Sequence, residues 1–164
     1  MRSGYWVVAI FATGWASAGL LVTGYPLVTV LLPVLISAAL LLWAYTTPST
    51  GGELGSHTRR LLARWSLIEG LAIVVAVNLL HRTHHPDATF SVVAAIVGLH
   101  FLPLARQIPV HLYYLTAAGL VVCGAAGMLL PAGERPLAIG LSAAAVLWAT
   151  AVIRLSGARR SAAV

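Results

Sequence analysis

Glu69, His100, Pro103 and Arg106 are the residues whose types and positions could do chemistry, because each interrupts an apolar run. The stretch VGLHFLPLAR, from Val97 to Arg106, puts an imidazole, a helix-breaking proline and a guanidinium into one span. Pro103 lacks the N–H that would bond the Leu99 carbonyl, so the helix is expected to kink and leave a free backbone oxygen beside His100. Glu69 lies about eight residues into the preceding helix, roughly 12 Å below its boundary; His100 lies roughly 8 Å from the matching end of its own helix. The two helices are consecutive and the depths are similar, so the sequence predicts that Glu69 and His100 face one another. Arg106, His111, Tyr113 and Tyr114 fall near the same end, where they would line a wet vestibule. A carboxylate beside an imidazole can hold or pass a proton, which points to ligand or proton handling. The bland alternative is a structural hydrogen bond, with Arg106 snorkelling to the interface.

A second constellation is HRTHHPD, which carries His81, His84, His85 and Asp87. If the third helix ran on for one turn, the three imidazoles would share a face, with Asp87 as a fourth ligand for a tetrahedral metal ion. The H-x-x-H-H spacing resembles one histidine box of the membrane fatty-acid desaturases and hydroxylases. That resemblance covers five residues, and a di-iron centre of that family needs several such boxes. The remaining histidines, His57, His100 and His111, are isolated. The desaturase reading therefore fails, and Pro86 favours a solvated loop over a helical metal site. No Walker loop, GxGxxG or HExxH is present, so no cofactor is expected.

The elements that must position these groups are membrane helices. Hydrophobic residues make up 60% of the 164 positions and charged residues 9%, whereas a soluble domain is roughly 25% charged. The expectation is an all-α bundle of six transmembrane helices in a single domain, over about 5–23, 27–45, 61–80, 88–105, 110–130 and 137–155. The N-terminal MRSGYWVVAIFATGWASAG imitates a secretory signal peptide but is expected to be retained as the first helix. Gly14 and Ala18 give that helix a small-residue face, and Gly119, Cys123 and Gly127 do the same for the fifth. Pro33 is expected to bend the second helix, and Trp43 and Tyr45 to sit at the interface. The fourth helix, short and proline-kinked, is the candidate for re-entry rather than spanning. Residues 46–58 read as the longest polar loop.

The net charge of +6 is carried entirely by arginine at the ends of apolar segments, which excludes nucleic-acid binding and marks topology. With the N-terminus inside, the inner side holds Arg2, Arg59, Arg60, Arg64, Arg106, Arg154, Arg159 and Arg160, and the outer side Arg82 and Arg135. Both termini should then be cytoplasmic, in a bacterial inner membrane. Cys123, the single cysteine, excludes an intrachain disulfide and reads as a small buried hydrophobe. Pro26 with Pro109, Pro48 with Pro131, and Trp65 with Trp148 each lie 83 residues apart, the spacing of a three-plus-three inverted repeat, although the surrounding residues match poorly.

The stretch GLHFLPLA, Gly98 to Ala105, resembles one in uncharacterised small bacterial multi-pass membrane proteins, a resemblance that implies no function. The leading functional expectation is a small transporter or permeation protein in contact with membrane lipid, working as a homo-oligomer such as a homodimer through the Gly and Ala faces of helices 1, 5 or 6. Competing expectations are an intramembrane enzyme on a lipid-like substrate, with Glu69 and His100 as acid and base, and a structural or assembly subunit.

Overall fold

With so few charged residues, apolar runs that are long enough close their own backbone hydrogen bonds as helices. The computed structural model describes residues 3–47, 56–107 and 110–162, and among them there are six α-helices and no strand. They are α1 (Ser3–Val22), α2 (Leu31–Thr46), α3 (Ser56–Arg82), α4 (Thr89–Gln107), α5 (Leu112–Gly127) and α6 (Arg135–Ala162). Two 3-10 turns, Leu27–Val30 and Pro86–Ala88, lead into α2 and α4. Five of the helical segments are long and apolar enough to cross a membrane.

The exception is α5 rather than the fourth helix. Pro86–Gln107 is a continuous apolar segment of 22 residues, whereas α5 has 16. The expected span of the fifth helix is completed by tighter winding at both ends: Tyr113 donates to the Val110 carbonyl, and Met128, Leu129 and Leu130 donate to Ala125, Ala126 and Gly127. These are three-residue turns, with a larger rise per residue than an α-helix. Pro33 also departs from expectation. Because Leu27–Val30 is a separate 3-10 turn, Pro33 falls in the first turn of α2, where its missing N–H costs little. Of the expected polar loop, residues 48–55 lie outside the described residues, as do Ile108 and Pro109 of the next turn.

The neighbours α1–α2, α3–α4, α4–α5 and α5–α6 pack against one another, and the first and last described helices also pair closely. Small residues make that possible. A Cβ added to Gly140 would lie 2.6 Å from the Trp15 carbonyl oxygen and 2.9 Å from the Gly19 Cα, so the two backbones touch. Around this crossing lie Ala12 and Ala16 of α1, Ala143, Ala144 and Leu147 of α6, Ala94 and Val97 of α4, and Leu120 of α5. Gly14, expected as the packing glycine of α1, has open space over it, because the interior face is set by Ala12, Ala16 and Gly19. The Gly119 and Gly127 face of α5 is covered by Val146 and Ile139 of α6.

In space the helices follow the order α2, α1, α6, α5, α4, α3, with further contact between α4 and α6 and between α2 and α6. The halves of the chain use different neighbours: α5 packs on α6, whereas α2 and α3, their counterparts in a three-plus-three scheme, do not pack as a pair. Helix α3 is peripheral, resting on α4. Large apolar side chains face outward all round, including Ile10, Leu35, Leu67, Val75, Val122 and Ile153.

Two turns at one end of the bundle are built alike. After α1, Tyr25 N–H bonds the Leu20 carbonyl and Gly24 N–H bonds the Leu21 carbonyl, with Gly24 at φ 84° and Pro26 following. After α3, His85 N–H bonds the Leu80 carbonyl and His84 N–H bonds the His81 carbonyl, with His84 at φ 61° and Pro86 following. Both are Schellman caps with a left-handed residue just past the helix. The residue before it, Thr23 or Thr83, turns its hydroxyl back to the last helical carbonyls.

Candidate functional site

Helix α3 begins at Ser56, earlier than its apolar pattern predicts, and ends at Arg82. Glu69 is therefore midway along it, about 20 Å from either end at the helical rise. On α4, His100 lies seven residues before Gln107, about 10 Å from that end. The His100 Nδ1 and Glu69 Oε2 atoms are 3.5 Å apart, and each side chain is only 10% exposed. The expected meeting of these two groups is what the geometry has.

Further polar and aromatic groups fix the pair. The backbone carbonyl of Trp65, one turn before Glu69, offers the imidazole a second acceptor. Phe101 sets its ring edge-on to the imidazole, with centroids 6.3 Å apart. Pro103 lies inside α4, which continues past it to Gln107. It leaves the carbonyl of Leu99, four residues before it and next to His100, without its helical donor.

A carboxyl and an imidazole in van der Waals surroundings have one inexpensive charge state. With a single proton shared between them, as carboxylate and imidazolium or as carboxylic acid and imidazole, the pair is neutral overall. Adding or removing a proton leaves a net charge in low dielectric. The arrangement can therefore take up or release a proton only when something else, such as a cation, an anion or water, balances it.

The other expected members of this site separate. Arg106, His111 and Tyr114 are exposed, and among the described residues no hydrogen bond or ion pair joins them to Glu69 or His100. Tyr113 turns inward, 7% exposed, but toward α6. Its hydroxyl accepts a hydrogen bond from Arg154 at 2.6 Å, and its ring packs against Phe101 with centroids 5.8 Å apart. The Arg154 guanidinium lies 5.2 Å from the Tyr5 ring centre and 5.4 Å from that of Tyr113. Sequence reasoning counted Arg154 only as a topology signal. The missing signal was the pairing of α1 with α6, which no local pattern encodes.

At His81, His84, His85 and Asp87 the backbone departs from the helical continuation that a shared metal-binding face would need. The third helix does not run on for another turn: it is capped at His84, whose left-handed conformation turns the chain before the third imidazole. Asp87 is engaged elsewhere, in an ion pair with Arg135. Arg135 also donates to the Leu130 and Met128 carbonyls, so it ties the α3–α4 turn to the α5–α6 turn. Among the described residues no three His, Cys, Asp or Glu side chains come together as a metal site.

Elsewhere the buried polar groups serve packing. Ser37 accepts from Thr13 and from the Trp148 indole and donates to the Ala9 carbonyl, joining α1, α2 and α6. Thr116 and Thr150 share a hydrogen bond at 2.7 Å between α5 and α6. No protein-family model, curated protein or solved structure matches the chain.

Proposed function

We propose that this chain is a multi-pass protein of the bacterial inner membrane that moves a small molecule or ion, exchanging protons at the α3–α4 seam through Glu69 and His100. The observation that carries this reading is the contact at 3.5 Å between two titratable side chains, each 10% exposed, with Glu69 inside a helix long and apolar enough to cross a membrane. Intramembrane carboxylates are costly, and their usual use is a proton or substrate pathway.

The membrane part of the proposal is supported by the outward apolar belt and by the arginines. The antiparallel order brings Arg59, Arg60, Arg64, Arg106 and Arg154 to one end of the bundle and Arg82 and Arg135 to the other. The richer end is the cytoplasmic one, which carries both termini. Labelling of Ser56→Cys and His84→Cys from opposite faces of a sealed membrane tests this. Labelling of both from the same face removes the topology.

The transport part is tested in proteoliposomes holding the purified protein under a pH gradient, with proton movement read by an enclosed dye while candidate solutes are added. Glu69→Gln keeps a hydrogen-bonding group and abolishes its titration. It should leave unfolding temperature nearly intact and eliminate solute-dependent proton movement. Unchanged movement in Glu69→Gln would sink the proposal.

The position of the pair also favours one alternative. Helix α3 rests on α4 at the edge of the bundle, so an amphiphile dissolved in the bilayer would reach the seam from the side. An enzyme acting on a lipid-like substrate, with Glu69 and His100 as acid and base, is the reading to adopt if lipid turnover rather than solute flux is lost in Glu69→Gln.

A further inference from the structure

Arg154 poses a separate question, because it is a half-buried cation whose charge no described carboxylate balances. Only two ion pairs occur among the described residues, Glu69 with His100 and Asp87 with Arg135. Glu134, the remaining described acid, is exposed at the opposite end of the bundle, next to Arg135. What Arg154 has instead, among the described residues, is a cage: the Tyr5 ring, the Tyr113 ring and one hydrogen bond, to the Tyr113 hydroxyl. A guanidinium carries five N–H donors in a planar fork. The cage holds that fork in place while leaving donors to spare.

Its depth says what the fork meets. Arg154 lies nineteen residues after Arg135 on the continuous helix α6, which is about 28 Å of helix. The hydrocarbon core of a bilayer is about 30 Å thick. With Arg135 at one boundary, Arg154 is at the level of the headgroups of the opposite leaflet. Held side-on by aromatic rings, it is less free to follow the water than a snorkelling arginine such as the exposed Arg106.

We propose that Arg154, caged by Tyr5 and Tyr113, is a binding site for a phosphate group, presented by an anionic phospholipid headgroup or as free phosphate. The guanidinium pairs two N–H groups with two phosphate oxygens, and the Tyr113 hydroxyl, already accepting from Arg154, donates its own proton to a third. The aromatic rings fix the fork so that less freedom is lost on binding. The site joins α1, α5 and α6, with the Phe101 ring lying between Tyr113 and His100 of the α3–α4 seam, and rests only on the membrane part of the preceding proposal.

The test uses the whole chain, purified in detergent and stripped of lipid. It is titrated with dioleoylphosphatidylglycerol, with dioleoylphosphatidylcholine and with inorganic phosphate, and binding is read by native mass spectrometry and by the shift in unfolding temperature. Phosphatidylglycerol should bind one molecule tightly, and Arg154→Gln should weaken it at least tenfold. Arg154→Lys, which keeps charge but not the fork, and Tyr113→Phe, which keeps the ring but not the hydroxyl, should each weaken it several-fold; these two decide the matter if Arg154→Gln does not fold. Arg106→Gln should bind as the unaltered chain does. Competition by inorganic phosphate identifies free phosphate as an accepted form, and binding of lipid without such competition identifies the headgroup. Equal binding by Arg154→Gln, an equal loss in Arg106→Gln, or no binding of either phosphate source would overturn the proposal. The readout is binding in micelles, so failure of the transport assay leaves it standing; a chain released from membranes by carbonate would show instead that the membrane reading itself had failed.

Discussion

The α1–α6 seam and the α3–α4 seam solve helix packing in opposite ways. In the first, two glycines let backbones touch, and the surrounding positions are alanine and leucine. In the second, the central contact is between a carboxyl and an imidazole, on a helix that has little other purchase on the bundle. Association of apolar helices in lipid gains little from burial and depends on close packing and hydrogen bonds. A seam of small residues is therefore a permanent joint. One built around a titratable pair is a joint whose strength follows its protonation.

The sharpest way to break the contrast is steric. Gly140→Val should destabilise the protein by about 3 kcal/mol or more, since the new side chain would meet backbone rather than a movable side chain. The equivalent change at Gly14, which has open space over it, should cost no more than about 0.5 kcal/mol. Chemical unfolding in mixed micelles measures both. Equal costs at the two glycines would remove the distinction between the seams.

Next in size are the polar partners. Glu69→Ala and His100→Ala should each destabilise by about 1–3 kcal/mol, with the double variant less damaging than the sum, because either single change strands its partner. Additive losses would mean that the two groups do not interact. A smaller effect belongs to the cap that ends α3. His84→Gly should stabilise by about 1 kcal/mol, and His84→Val should destabilise by a similar amount, because the position needs a left-handed backbone. If the α3–α4 hairpin is the adjustable part of the molecule, hydrogen exchange in α3 should slow in His84→Gly while α1 is unaffected. The smallest change expected is at Thr116 and Thr150, where replacing both by Val should cost about 0.6 kcal/mol, the usual worth of such a bond between membrane helices.

Much of this was legible in the sequence wherever the information is local. Apolar runs marked six helices, and simple counting along 1.5 Å per residue placed Glu69 and His100 at depths close enough to meet. Whether a given glycine packs was not legible: Gly14 and Gly19 lie on the same helix, and only the approach of α6 distinguishes them. The same long-range pairing hid the Arg154 cage, whose residues come from positions 5, 113 and 154. At His84 the difficulty was of another kind. Gly24 announces a left-handed turn by its residue type, whereas a histidine in that conformation is seen only once the Thr-x-x-Pro pattern shared by the two turns is noticed.

The pairing of α1 with α6 also constrains how the chain is made. A ribosome releases α1 before α6, so α1 waits through the synthesis of the four intervening helices for the partner whose backbone it touches. During that interval α1 has α2, to which it is held by the Thr13–Ser37 hydrogen bond and the Trp6–Tyr45 ring contact. Ser37 then receives Trp148 when the last helix arrives. Ser37 therefore serves both the early hairpin and the docking of α6, and a truncated chain ending before Arg135 would leave the Gly19 face of α1 open to any other apolar helix.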